Sequence, residues 1–224
     1  MIASLAAVGL GSSLGGSSGS KVPVADEETP APVATPAAGQ TFPEGPTRTI
    51  DATQPHKATL KTNKGDIEIQ LFADAPEAVN SFAFLAEKGF YDGSVFFYVN
   101  HDWGVAQAGD PTGTEEISSV CGNGGPGYSL PVEQTSERHE QWAVVAPYKV
   151  AGQEVHGSQF RILLKPFQQW DGKETVFGKV VAGQEILESL PDFVPCSVAK
   201  TEGCLLNPDT SSALVIEKVI VQPA

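Results

Sequence analysis

Phe97-Tyr-Val-Asn-His-Asp-Trp-Gly-Val-Ala-Gln-Ala-Gly-Asp-Pro111 is the stretch on which the reading of this 224-residue chain turns. It opens on the end of an apolar run, Val95 to Val99, and passes through Asn, Gly and Pro turn residues. About fifty residues further on comes His156-Gly-Ser-Gln-Phe-Arg161, followed by Trp170-Asp-Gly-Lys-Glu-Thr-Val-Phe-Gly-Lys-Val180. Around these lie further short apolar runs at Tyr128 to Val132, Trp142 to Ala146, Phe160 to Leu164 and Val176 to Val181, each bounded by turn residues. Upstream, Ala58-Thr-Leu-Lys-Thr62 and Asp66-Ile-Glu-Ile-Gln-Leu71 alternate apolar and polar residues on either side of Asn63-Lys-Gly65, a hairpin signal.

Helical signals are fewer. After Asp74-Ala-Pro-Glu77, the spacing of Val79, Phe82, Leu85 and Ala86 predicts an amphipathic helix that stops at Gly89. Gln184-Glu-Ile-Leu-Glu-Ser-Leu190 reads as a second helix and Ala213 to Val221 as a closing strand. Many short strands with two helices predict a mostly β domain, a closed antiparallel barrel rather than a doubly wound sheet.

The quoted segments together resemble the cyclophilin family of peptidyl-prolyl isomerases. That family's usual wording is Phe-His-Arg, seven residues, then Gln-Gly-Gly-Asp-Pro, and the ungapped match runs from Phe97 through Gln107 to Pro111. The resemblance covers residues 57 to about 222 and implies a closed eight-stranded antiparallel barrel capped by two α-helices. Thr49-Ile-Asp51, Ala58 to Gly65 and Phe90-Tyr-Asp-Gly93 resemble the lead-in of tethered bacterial members in particular. The implied activity is cis-trans isomerisation of proline-containing polypeptides, aiding the folding of exported proteins, with no cofactor.

Rotation about a prolyl peptide bond crosses a barrier of about 18–20 kcal/mol set by amide resonance, and requires neither nucleophile nor acid-base pair. A catalyst grips the proline ring, fixes the carbonyl side and holds a donor near the prolyl nitrogen as conjugation is lost. In the family that donor is an arginine, and in the ungapped match its place falls on Val99, which cannot donate. Two apolar pocket positions fall on Gly104 and Val105, with Trp103 one residue away to refill the wall. The expected activity is therefore weak, and a catalytically inactive peptide- or partner-binding module is the alternative.

The resemblance carries substrate contacts over to Gln107, Gly122 and Gln159, and places Phe97 and Phe160 behind the site. Each has a plainer explanation: the two glutamines can satisfy buried backbone groups, and Gly122 can serve a turn of positive φ. Trp170 is a platform for the proline or simply packing. Arg161 is a relocated donor, or else the partner of Glu174 in an ion pair that fills the pocket. An insertion, Glu115 to Cys121, lengthens the neighbouring loop.

Composition excludes some partners. The net charge is −13, opposite to the basic surface that nucleic acids or anionic membranes require of a folded domain. No cysteine and histidine spacing suggests a metal site. Cys196 and Cys204 bracket a short loop suited to a disulfide, which leaves Cys121 as a free thiol. Residues 2 to 10 are apolar and signal-like, but far shorter than the roughly 20 residues of a membrane span and without a basic flank. Residues 11 to 56, rich first in Gly and Ser and then in Pro, Ala and Thr, read as a flexible linker that tethers or trails the domain. The expectation is a monomeric domain over 57–224, exported or tethered outside the cytoplasm.

Overall fold

The computed structural model describes residues 40–112, 122–150, 152–193 and 212–224. The loop insertion and all three cysteines, with their expected disulfide, lie outside the described residues. The strands are β1 (His56–Thr62), β2 (Gly65–Leu71), β3 (Ser94–Val95), β4 (Tyr98–Asn100), β5 (Val105–Ala108), β6 (Ser129–Pro131), β7 (Ala143–Ala146), β8 (Tyr148–Val150), β9 (Glu154–His156), β10 (Phe160–Leu163), β11 (Thr175–Ala182) and β12 (Val215–Pro223). The helices are α1 (Pro76–Glu87) and the single-turn-and-a-half α2 (Gln184–Glu188).

Nine strands form one sheet in the order β3-β12-β1-β2-β11-β7-β10-β5-β4, and β6, β9 and β8 form a second. The expected β1–β2 hairpin is present, with Thr62 opposite Gly65 and the Thr62 hydroxyl donating to the Gly65 carbonyl at 2.5 Å. The expected closed eight-stranded barrel is not: the large sheet is an open, curled half-barrel. Its end strands β3 and β4 are separated by only Phe96 and Phe97 along the chain, which forces the sheet to curl. No ladder joins them, because β4 spends its edge elsewhere: Val99 and Phe193 exchange N–H···O bonds of 2.7 Å in both directions.

Alternation sorts the large sheet into two faces. The inner face, with Ala58, Leu60, Ile67, Ile69, Ala106, Val144, Phe160 and Ile162, packs on α1 through Phe82 and Leu85. An outer cluster, including Phe97, Tyr98, Val105, Val145, Leu163, Phe167 and Val176, lies beneath the loops. Helix α1 begins with Pro76 at its first position and ends at Gly89 in the left-handed region, φ +66°, as its sequence predicts. Its N-terminal cap comes from far away: the Glu133 carboxylate accepts from the N–H groups of Glu77 and Ala78, both at 2.9 Å.

Residues 40–55, read from composition as linker, lie on the core. Phe42 meets Phe84 edge-on at 5.0 Å and donates its backbone N–H to the Pro126 carbonyl at 2.6 Å. The Asn80 side chain of α1 accepts from the Thr49 N–H and donates to the Thr47 carbonyl. Ala52 is fully buried. A few apolar residues spaced along a proline-rich strap suffice to dock it, although average composition conceals them.

Candidate functional site

Strand register builds the site. In the ladders Tyr98 stands opposite Gln107, Gln107 opposite Arg161, Arg161 opposite Val145 and Val145 opposite Val176. Residues directly opposite share a face, so β4, β5, β10, β7 and β11 carry one continuous row on the outer side of the sheet. Val99 belongs to the neighbouring row with Ala106, Ile162 and Val144, all of them in the inner core. Val99, on which the ungapped match places the catalytic arginine, therefore faces the core, and the residue that β4 presents beside Gln107 is Tyr98.

Above this row opens a cavity of about 220 Å³ lined by Phe97, Tyr98, Trp103, Gln107, Gly122, His156, Gln159 and Arg161. Five of the six residues singled out from sequence therefore meet in one place. The sixth, Trp170, sits one layer back, in the 3-10 turn Gln168–Trp170, stacked on Phe167 at 4.2 Å and 7°. The Arg161 guanidinium lies over its ring at 5.2 Å. Trp103, half exposed, rises at the rim between Tyr98 and Trp170 with edge contacts of 6.1 and 6.3 Å. The Asn100 side chain holds the Trp103 N–H at 2.6 Å, and Gly104 turns the chain at φ +77°.

Polar groups of the row are tied together. Arg161 donates from Nε to Gln107 Oε1 and from Nη1 to Glu174 Oε1, each at 3.0 Å. Gln107 Nε2 donates to Gln159 Oε1 at 2.8 Å, and Gln159 Nε2 donates to the carbonyls of Gly122 at 3.1 Å and Gly124 at 2.7 Å. Gly122 has φ +94°, the turn geometry read for it. Its loop is anchored by Asp110, fully buried, which accepts from the N–H groups of Gly122 and Gly124. Gln159 thus satisfies backbone carbonyls while also walling the cavity.

Glu174 is the hub behind the cavity. Its side chain is completely buried, and it accepts from Arg161 and from the Tyr148 N–H at 3.2 Å. Burial drives its carboxyl above the ordinary carboxylate range, and the Arg161 charge only partly reverses this. His139, equally buried, places Nε2 at 3.8 Å from Glu174 Oε2, and neither atom has a hydrogen-bond partner among the described residues. The other ring nitrogen of His139 meets Asp171 at 2.9 Å, and Arg138 reaches the same carboxylate at 3.0 Å. Burial would raise the Asp171 carboxyl, but hydrogen bonds from His139 outweigh it and hold it low. His156, on β9, is kept toward its neutral form by burial and by the Lys149 and Arg161 charges.

Sequence reading missed Tyr98, His156 and Asp110. Tyr98 had a signal in strand alternation, since it and Val99 must face opposite ways, but the sense of that alternation is set by the turn between β4 and β5. The class of protein that fold and cavity define is a curled β half-barrel with a polar row and an aromatic wall framing a ring-sized hollow.

The chain belongs to the cyclophilin-type peptidyl-prolyl isomerases. The family model described as cyclophilin type peptidyl-prolyl cis-trans isomerase/CLD matches residues 57–219. A peptidyl-prolyl cis-trans isomerase of Helicobacter pylori is 39% identical over 130 residues, covering 57% of this chain and 74% of the relative. Peptidyl-prolyl cis-trans isomerase B of Streptomyces anulatus is 35% identical over 190 residues, covering 74% of this chain and 95% of the relative. In three dimensions the chain is similar to the crystal structure of a Cryptosporidium parvum cyclophilin type peptidyl-prolyl cis-trans isomerase, with TM-score 0.59 and 23% identity, covering 76% of this chain and 99% of that one. That likeness concerns the fold.

Proposed function

We propose that this chain isomerises Xaa-Pro bonds in polypeptides, slowly by the standard of its family, and that its substrates are exported proteins. The observation that carries the reading is the cavity itself: an aromatic wall of Phe97, Tyr98 and Trp103 beside the tied amides of Gln107 and Gln159. A proline ring suits such a hollow by apolar burial, and Gln107 is placed to contact the substrate carbonyl. Slowness is expected because the guanidinium that lines the cavity, that of Arg161, has two of its three nitrogens committed to Gln107 and Glu174. Export is supported by the signal-like residues 2 to 10 and the Gly/Ser-rich chain after them, which would leave the domain tethered or free outside the cytoplasm.

That engagement of Arg161 also favours a second reading, a module that holds proline-containing segments without turnover. A protease-free isomerisation assay on a tetrapeptide with an Ala-Pro bond separates the two. The enzyme reading expects acceleration that falls about tenfold in Gln107→Ala, the worth of one lost hydrogen bond in the transition state. Peptide binding with no acceleration by the wild-type chain would leave only the binding module. Export is tested by protease accessibility of the chain in intact cells, and full protection until lysis would sink it.

A further inference from the structure

We propose that the hydroxyl of Tyr98 is the catalytic hydrogen-bond donor of this groove, directed at the prolyl nitrogen as that nitrogen loses amide conjugation. The assignment rests on the isomerase reading and names the group that would carry it. As the C–N bond twists, the nitrogen becomes pyramidal and its lone pair turns into an acceptor. No covalent bond forms or breaks, and the phenolic proton stays on its oxygen.

Three observations lead to Tyr98. First, it stands directly opposite Gln107 in the β4–β5 ladder and lines the cavity, so the carbonyl-side contact and the nitrogen-side donor sit side by side. Second, its ring is held, with Trp103 packed edge-on at 6.1 Å, while among the described residues no hydrogen bond engages its hydroxyl. A buried ring with an unused polar tip in a cavity is poised for a ligand.

Third, most other donors at the cavity are committed or set apart from the row. Val99 faces the core, Arg161 spends Nε and Nη1 on Gln107 and Glu174, and Gln159 spends its amide nitrogen on two backbone carbonyls. His156 lines the cavity but belongs to the three-stranded sheet, outside the row that contains Gln107. Burial also raises the Tyr98 phenol above its ordinary value of 10.0, with the Arg161 charge working the other way and Asp192 adding to the rise.

The test compares the full-length wild type with Tyr98→Phe and His156→Phe, reading kcat/KM and the affinity for the same Ala-Pro tetrapeptide. Tyr98→Phe keeps the ring and its packing, so its urea midpoint should stay near wild type. The expected result is a loss of at least tenfold in kcat/KM with affinity changed less than twofold. Unchanged catalysis in Tyr98→Phe, or a loss confined to His156→Phe, overturns the assignment while leaving the isomerase reading intact. A loss in Tyr98→Phe that tracks affinity alone makes Tyr98 a binding residue and overturns it too. A wild type that binds the peptide without accelerating its isomerisation overturns both.

Discussion

Glu174 shows how one buried side chain couples the cavity to solution pH. Its carboxyl titrates above its ordinary value of 4.5 because burial disfavours the charged form more than Arg161, the Tyr148 N–H and His139 favour it. The folded chain therefore holds a proton more tightly than the unfolded chain between 4.5 and that higher folded value. Stability must fall as pH rises through this window and stay lower above it. Urea midpoints measured across the window should show a larger descending step in the wild type than in Glu174→Gln, since Glu133 and Asp92, also raised by burial, keep part of it. Superimposable profiles for the two proteins would contradict it. Asp171 behaves oppositely: held low, it stabilises the fold above its ordinary range and loses that contribution as acid protonates it.

At the scale of the element, the deciding feature is the register of β4. Alternation in so short a strand offers two possibilities, Tyr98 outward or Val99 outward, and the β4–β5 ladder selects the first. Unequal consequences follow for one introduced charge. Val99→Arg forces a guanidinium among Ala106, Ile162 and Val144, where nothing can pair with it, and should cost more than about 4 kcal/mol. Tyr98→Arg places the same group on the outer face at the cavity, where part of it can reach solvent, and should cost clearly less than Val99→Arg. Chemical denaturation followed by circular dichroism distinguishes them, and equal damage at both positions would refute the register. Helix α1 depends on a similar nonlocal arrangement, since its N-terminal amides bond the Glu133 carboxylate 56 residues away.

On the scale of the whole molecule, the strap of residues 40–55 links the back of the domain to the rim of the groove. Phe42 packs on α1 and bonds Pro126, while Thr41 lies against Gly127, in the loop whose start, Gly122, lines the cavity. Removing the Phe42 ring should lower stability by about 2 kcal/mol, the order expected for a largely buried aromatic side chain. For a domain of this size that is about 4–8 °C in Tm. Calorimetry of Phe42→Ala checks it, and an unchanged Tm would mean that the strap adds nothing. Because the strap also braces the 122–127 loop, the same variant should bind the Ala-Pro peptide more weakly than wild type.

Local pattern alone determined much of this protein. Period-two alternation around Asn63-Lys-Gly65 specified the first hairpin, helical spacing with Gly89 specified α1, and the motif residues Gln107, Gly122 and Gln159 do converge on one cavity. Such signals are legible because each depends on neighbours a few residues apart. Tertiary structure decided the rest: that Phe193 takes the edge of β4 and the barrel stays open, that Tyr98 and not Val99 meets Gln107, that Arg161 is shared between Gln107 and Glu174, and that the strap docks. In each case the partner lies far along the chain, and competition among distant partners for the same edge, charge or apolar surface is settled only when all of them are brought together.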